Sequence, residues 1–189
     1  MEELLENLNS IYPLSKELVQ HLSTILKVLE LSKKDYLLKA GRVCENVYFI
    51  KKGLVRCFYV KDDLEVCSWF MKEGDVIFSV KSFYTQTPSY ESIQILEDSI
   101  FYYISYKELQ HIYNTFLEFN YIRGVLTERY YLLSEERSYS IRMQRAYERY
   151  QYLKNNHNEL LRRVSSRYIA SYIGITEETL SRIRSGKKY

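Results

Sequence analysis

The chain has 189 residues, 46% of them apolar and 27% charged, and carries a net charge of +3. That length can bury a sizeable core, and those proportions exclude a largely disordered chain. MEELLENLNS lacks the basic region and apolar run of a secretory leader, and no apolar run approaches a membrane span, so a cytoplasmic protein without membrane contact is expected.

Cys44, Cys57 and Cys67 form no CxxC pair, and His21, His111 and His157 have no zinc-ligand spacing. Buried thiols in a reducing compartment and no metal are expected. The 20 tyrosines suit half-buried strands and helix faces with a wet edge. Charge is unevenly spread. From Arg137 onward there are 12 Lys+Arg against 4 Asp+Glu, a net of +8, while the first 136 residues hold 15 against 20, a net of −5. A basic C-terminal third on an acidic body is an electrostatic footprint for a polyanion.

In chain order, apolar positions such as Leu4, Leu8, Leu18, Leu22, Ile25 and Leu29 predict helix over Glu2–Leu31, broken near Pro13. Strands are predicted at Tyr36–Lys39, Val47–Ile50, Val55–Tyr59, Val66–Phe70, Val76–Phe78, Ser92–Leu96 and Ile100–Ile104. Turn signals at Gly41, Gly53, Asp62-Asp63 and Gly74-Asp75 separate them, the pattern of an antiparallel sandwich or barrel. Helical periodicity returns after Ser105. Phe119, Ile122, Leu126 and Leu133 step by three, four and seven, and predict a long helix with a dimer seam or a face packed on the chain's own β-domain. A hinge is expected at Ser138–Ser140, then a helix near Met143–Asn155.

Ser166–Ser185, SRYIASYIGITEETLSRIRS, carries the clearest motif. Ala170 lets two backbones approach, Gly174 tolerates a positive φ in the turn, and Ile169, Ile173, Ile175, Leu180 and Ile183 supply a shared core. Thr176 suits the N-cap of the second helix, and Glu177 and Glu178 suit its first turn. This is the pattern of a helix-turn-helix, whose second helix enters the DNA major groove. Glu177, Glu178 and Arg182 are the candidates for base edges: a carboxylate accepts from cytosine N4, and a guanidinium grips guanine O6 and N7. Arg167, Thr179, Ser181, Arg184, Lys187 and Lys188 are candidates for the phosphate backbone.

The chain resembles the Crp/Fnr family of bacterial transcription regulators over nearly its whole length. Gly41, Cys44, the quartet Val47-Tyr48-Phe49-Ile50, Gly53 and Gly74-Asp75 resemble the family's cyclic-nucleotide-binding signature, although Leu38 and Arg42 depart from its usual choices. Glu178-Thr179-Leu180-Ser181-Arg182 resembles its recognition helix. The resemblance implies an α+β fold: a jelly-roll-like antiparallel β-roll (a double-stranded β-helix) flanked by helices, a long dimerisation helix and an all-α helix-turn-helix. It divides the chain into a sensor over 1–115, a dimerisation helix over 116–140 and a DNA-binding part over 141–189. The implied partners are double-stranded DNA, a second copy of the chain, a small-molecule effector and RNA polymerase.

Two departures qualify this. The family's phosphate-binding cassette carries a Gly-Glu pair and a later Arg-Ser/Thr, whereas the matching stretches here are Phe78-Ser79-Val80-Lys81 and Thr87-Pro88-Ser89-Tyr90. Without the carboxylate and the guanidinium, cyclic nucleotide binding is not expected, and no cofactor is assigned. Phe78, Ser79, Lys81, Ser89 and Tyr90 stay as candidates for a different effector pocket. The family's β-hairpin wing after the recognition helix is not expected here, which leaves a second reading: a ligand- or partner-binding roll whose helical hairpin does not bind DNA. Catalysis is not expected. No histidine falls between Asp35 and Ile104, and there is no paired-carboxylate site, nucleophile elbow or phosphate loop.

Overall fold

The computed structural model describes residues 1–186. Helices α1 (Glu2–Ile11) and α2 (Lys16–Ile25) lead into β1 (Lys27–Leu31), β2 (Tyr36–Leu38), β3 (Asn46–Lys52), β4 (Leu54–Lys61), β5 (Leu64–Lys72) and β6 (Val76–Ile77). A short helix α3 (Val80–Thr85) separates these from β7 (Glu91–Ile95) and β8 (Ser99–Ser105). The helices α4 (Tyr106–Thr115), α5 (Leu117–Met143), α6 (Ala146–Asn156), α7 (Asn158–Arg163), α8 (Ser166–Tyr172) and α9 (Glu177–Arg184) complete the described chain.

The strands form two antiparallel four-stranded sheets, ordered β1-β8-β3-β6 and β2-β7-β4-β5. Each strand expected from sequence overlaps one of β2 to β8, with Lys39, Phe78 and Leu96 falling one residue beyond the observed ends. Ile50, Val55, Cys57, Ile93 and Phe101 are buried in the core of the roll. Two turns show why the chain closes this way. Asp62 and Asp63 both take positive φ, 50° and 61°, the left-handed pair that joins β4 to β5 with the twist a two-residue hairpin needs. Gly53 sits at φ +112° where β3 passes to β4, and a Cβ there would lie 1.9 Å from Ser99 Oγ. Only glycine fits.

Two local expectations are corrected. Lys27–Leu31 is a strand, not the end of a helix: α2 stops at Ile25, and β1 pairs with β8 in the register Lys27↔Tyr103 to Leu31↔Ser99. A five-residue stretch, KVLEL, is too short to carry a reliable period, and the free edge of β8 decides it. The long helix also has no hinge at Ser138–Ser140. It continues to Met143 and breaks at Gln144, whose ψ of 147° is extended, before Arg145 N–H bonds Glu148 Oε2 at 2.7 Å to start α6.

Of the two readings of the α5 stripe, packing on the chain's own β-domain describes its first part. Phe119 and Ile122 are buried in their own chain's core, and Leu126 packs against it. With Leu133 they lie on the side of α5 that carries Tyr130, whose hydroxyl accepts from Val76 N at 3.0 Å. The opposite side carries Tyr121, Val125, Leu132, Tyr139 and Met143, all exposed.

A second core joins the roll to the C-terminal helices. Leu54, Phe58 and Phe70, on the outer face of the β4–β5 hairpin, are buried together with Leu153, Ile169 and Ile173. The helix-turn-helix is therefore seated directly on the roll.

Candidate nucleic-acid interface and effector region

The helix-turn-helix is built from α8, a tight turn and α9. Gly174 takes φ +70°, and Gly174 N bonds Ser171 O at 3.1 Å while Ile175 N bonds Ala170 O at 3.0 Å, closing α8. Thr176 caps α9, its hydroxyl accepting from Thr179 N at 3.1 Å. Ile169, Ala170, Ile173, Leu180 and Ile183 are buried, so α9 is locked through one face. Its other face, with Glu177, Glu178, Ser181 and Arg182, is open to solvent.

On that face Arg182 Nη2 pairs with Glu178 Oε1 one turn earlier, both side chains being mostly exposed. Such a pair contributes only about 0.3–0.5 kcal/mol to stability. It matters more for geometry: a carboxylate and a guanidinium stand side by side, pointing outward, as a pair of complementary groups for a base-pair edge. The remaining candidates sort differently. Arg167 and Ser181 are exposed, Thr179 is half-buried beside the cap, and Arg184 Nη1 donates to Ser166 Oγ at 2.7 Å, tying α9 back to the start of α8. Lys187 and Lys188 lie outside the described residues.

The five candidate effector residues do not converge on one cavity. Ser79 and Ser89 are both buried and bond each other, Oγ to Oγ at 3.0 Å. Ser89 Oγ also donates to Glu91 O at 2.9 Å, and Ser79 N bonds Cys44 Sγ at 3.4 Å. The Phe78 ring lies tilted against that of Phe83, 4.9 Å between centroids, while Lys81 lies 4.6 Å over the exposed Tyr90 ring. The two serines belong to the stretches Phe78–Lys81 and Thr87–Tyr90, and they bond one another.

Glu91 sits beside them. Burial pushes its carboxyl above the usual range, against hydrogen bonds from Ser79 and Tyr59 that favour the charged form. A half-buried carboxylate is a poor neighbour for an anionic ligand. Sequence reasoning missed Glu91, because a single acidic residue opening a strand looks like an ordinary surface charge. It also missed a cleft of about 390 Å³ between β2 and β3, lined by Tyr36, Lys39, Arg42, Cys44, Asn46 and Tyr48.

Cys44, Cys57 and Cys67 are buried free thiols, and burial pushes each above the ordinary thiol value. Among the described residues no group of three His, Cys, Asp or Glu side chains could hold a metal ion, and no helix is long and apolar enough to cross a membrane.

Residues 28–116 match the family model of the cyclic nucleotide-binding domain, a binding rather than a catalytic unit. No curated protein matches the sequence. Among solved structures the chain is similar to CLP of Xanthomonas campestris, described as a c-di-GMP responsive global regulator, at 15% identity, 89% coverage of each chain and a TM-score of 0.73. It is similar to FixK2 of Bradyrhizobium japonicum at 18% identity, covering 86% of this chain and 84% of that one, with a TM-score of 0.72. A CooA mutant from Carboxydothermus hydrogenoformans matches at 20% identity over 97% and 83% of the two chains, with a TM-score of 0.71. Likeness at these identities is a likeness of fold.

Proposed function

We propose, starting from a cyclic nucleotide-binding-type roll set in a Crp/Fnr-type fold, that this chain is a homodimeric transcription regulator whose α9 reads the DNA major groove. The observation that carries this reading is the state of α9 itself. Its inner face is fixed by Leu180 and Ile183, while Glu178, Ser181 and Arg182 project together into solvent. The +8 balance from Arg137 onward supplies the sequence-independent attraction to phosphate. Two copies would place two such helices in successive major grooves, along a contact formed by Tyr121, Val125, Leu132 and Tyr139 of α5.

A small-molecule effector of the roll and contact with RNA polymerase belong to the same reading. The Ser79–Ser89 pair and Glu91 argue that such an effector is not an anionic cyclic nucleotide. The test is selection of bound genomic fragments by the purified protein, followed by titration of the winning site across a salt series. A two-fold-related site is expected, and Arg182→Ala should weaken it by about 1–3 kcal/mol and relax one base position. Binding that is sequence-blind, lost at physiological salt and indifferent to Arg182 would favour a roll whose hairpin is no longer a reader.

A further inference from the structure

An exposed recognition helix reads DNA only if something fixes the angle at which it is held. Domains joined by one helix move relative to each other by default, unless the interface between them is large and apolar. Here α8 lies against β5, the edge strand of its sheet, and Ser171 caps that edge: its hydroxyl accepts from Cys67 N at 2.9 Å and donates to Glu65 O at 2.9 Å. At the far end of the contact Arg163 pairs with both Glu73, at 2.8 Å, and Glu97, at 2.7 Å.

Between these two anchors stands Arg56, only 1% exposed. Strand alternation turns it to the outer face of β4 with Leu54 and Phe58. Its Nε and Nη2 donate to Gln94 Oε1 at 2.9 and 2.6 Å, and Nη2 also pairs with Glu65 Oε2 at 2.8 Å. Nη1 lies 3.7 Å from Cys67 Sγ. All the partners in the guanidinium plane therefore come from the roll. Its two faces are covered by aromatic rings: Phe58, 4.1 Å away on the same strand, and Tyr168, 3.7 Å away in α8. A buried charge with every side engaged is costly to move, because any displacement leaves it partly unpaired. Stacking on a desolvated guanidinium also holds a ring more firmly than an exposed contact does.

We infer that Arg56 is a positioning residue for DNA reading: acting through Tyr168 and α8, it holds α9 at one fixed orientation on the roll of its own chain. This rests on the DNA-reading proposal above. The roll then sets the recognition angle directly, and the orientation of α9 does not depend on α5 and the break at Gln144 alone. In a dimer, that angle appears as the spacing between half-sites.

The full-length protein is titrated against its selected site and against versions with one or two base pairs inserted between the half-sites. Wild type should lose about tenfold or more per inserted base pair, the scale of one lost base contact. Tyr168→Leu and Arg56→Met should lose about tenfold at the native spacing and then under about threefold more on insertion. Tyr168→Phe keeps the ring and should match wild type. Leu and Phe variants that behave alike, or a Leu variant as sensitive to spacing as wild type, would overturn the assignment.

Should Arg56→Met not fold, the Tyr168 pair carries the comparison alone. Amide exchange of residues 166–184 without DNA supplies a second readout. Tyr168→Leu should speed exchange of α8 and α9 together, and unchanged exchange counts against the clamp. A wild-type chain that selects no site defeats the DNA-reading proposal instead, and the exchange result still decides whether Arg56 holds α9.

Discussion

Substitution of Leu132 tests the exposed face of α5 as the dimer contact. Complete burial of a leucine side chain is worth about 1.5–3 kcal/mol. Leu132 is 55% exposed in the single chain, so roughly half of that, about 1–1.5 kcal/mol, remains to be gained on association. A two-fold contact counts it in both copies, giving about 2–3 kcal/mol for Leu132→Ala, or about a 30- to 150-fold weaker dimer. Leu132→Glu should weaken it further, because two carboxylates would meet across the axis. Ile122, fully buried in its own chain, is the contrast: Ile122→Ala should cost about 2–5 kcal/mol of folding stability and leave the association of the folded chains unchanged. Sedimentation velocity over a concentration series, with thermal unfolding of each variant, separates the two effects. If both Leu132 variants sediment as wild type, or if Ile122→Ala alone dissociates the dimer, the exposed stripe is not the seam.

Two further outcomes are expected. Gly53→Ala should lower stability by about 3 kcal/mol or more in urea unfolding, since its Cβ would meet the backbone of Ser99 as well as its side chain and its φ is positive; a loss under about 1 kcal/mol would mean that the turn relaxes freely. Glu91→Gln should raise the melting temperature at neutral pH. Burial raises the carboxyl's folded value above its unfolded one, so the folded wild type binds the proton more tightly and its stability falls as pH rises through that window. The advantage of the Gln variant should therefore grow from about pH 4 upward; a constant difference across pH would show that Glu91 is not held in that state.

The sequence made the roll legible because seven strands are bounded by turn residues whose chemistry leaves few alternatives. Asp62-Asp63 and Gly53 sit where the backbone demands positive φ, and both were visible as punctuation. The helix-turn-helix was legible for the same reason, with Gly174 and the Thr176 cap fixing where α8 ends and α9 begins. The orientation of α5 was not legible. Phe119, Ile122 and Leu126 form a sound apolar stripe, but Tyr121, Val125, Leu132 and Tyr139 form another on the opposite side. Periodicity finds stripes without saying which one the same chain already covers. The cassette was half legible: the missing charges could be read, but not that Ser79 and Ser89 would bond each other or that Glu91 would stand beside them.

Arg56 shows where a sharper reading was available. An arginine within the apolar run LVRCFYV looks like the solvent side of a half-buried strand, and on that view Leu54 and Phe58, at the same parity, should also face water. They are instead 0% and 4% exposed. Strand β4 is apolar on both faces, Val55 and Cys57 inward, Leu54 and Phe58 outward, which is the signature of a strand covered on both sides. An antiparallel roll does not cover its own outer face, so the cover had to come from elsewhere in the chain. The apolar residues of the C-terminal helices are the ones left to supply it. The same alternation that builds the roll therefore predicts that the helix-turn-helix docks on it, and a guanidinium at the centre of that face must then be fully paired, as Arg56 is with Glu65, Gln94 and two rings.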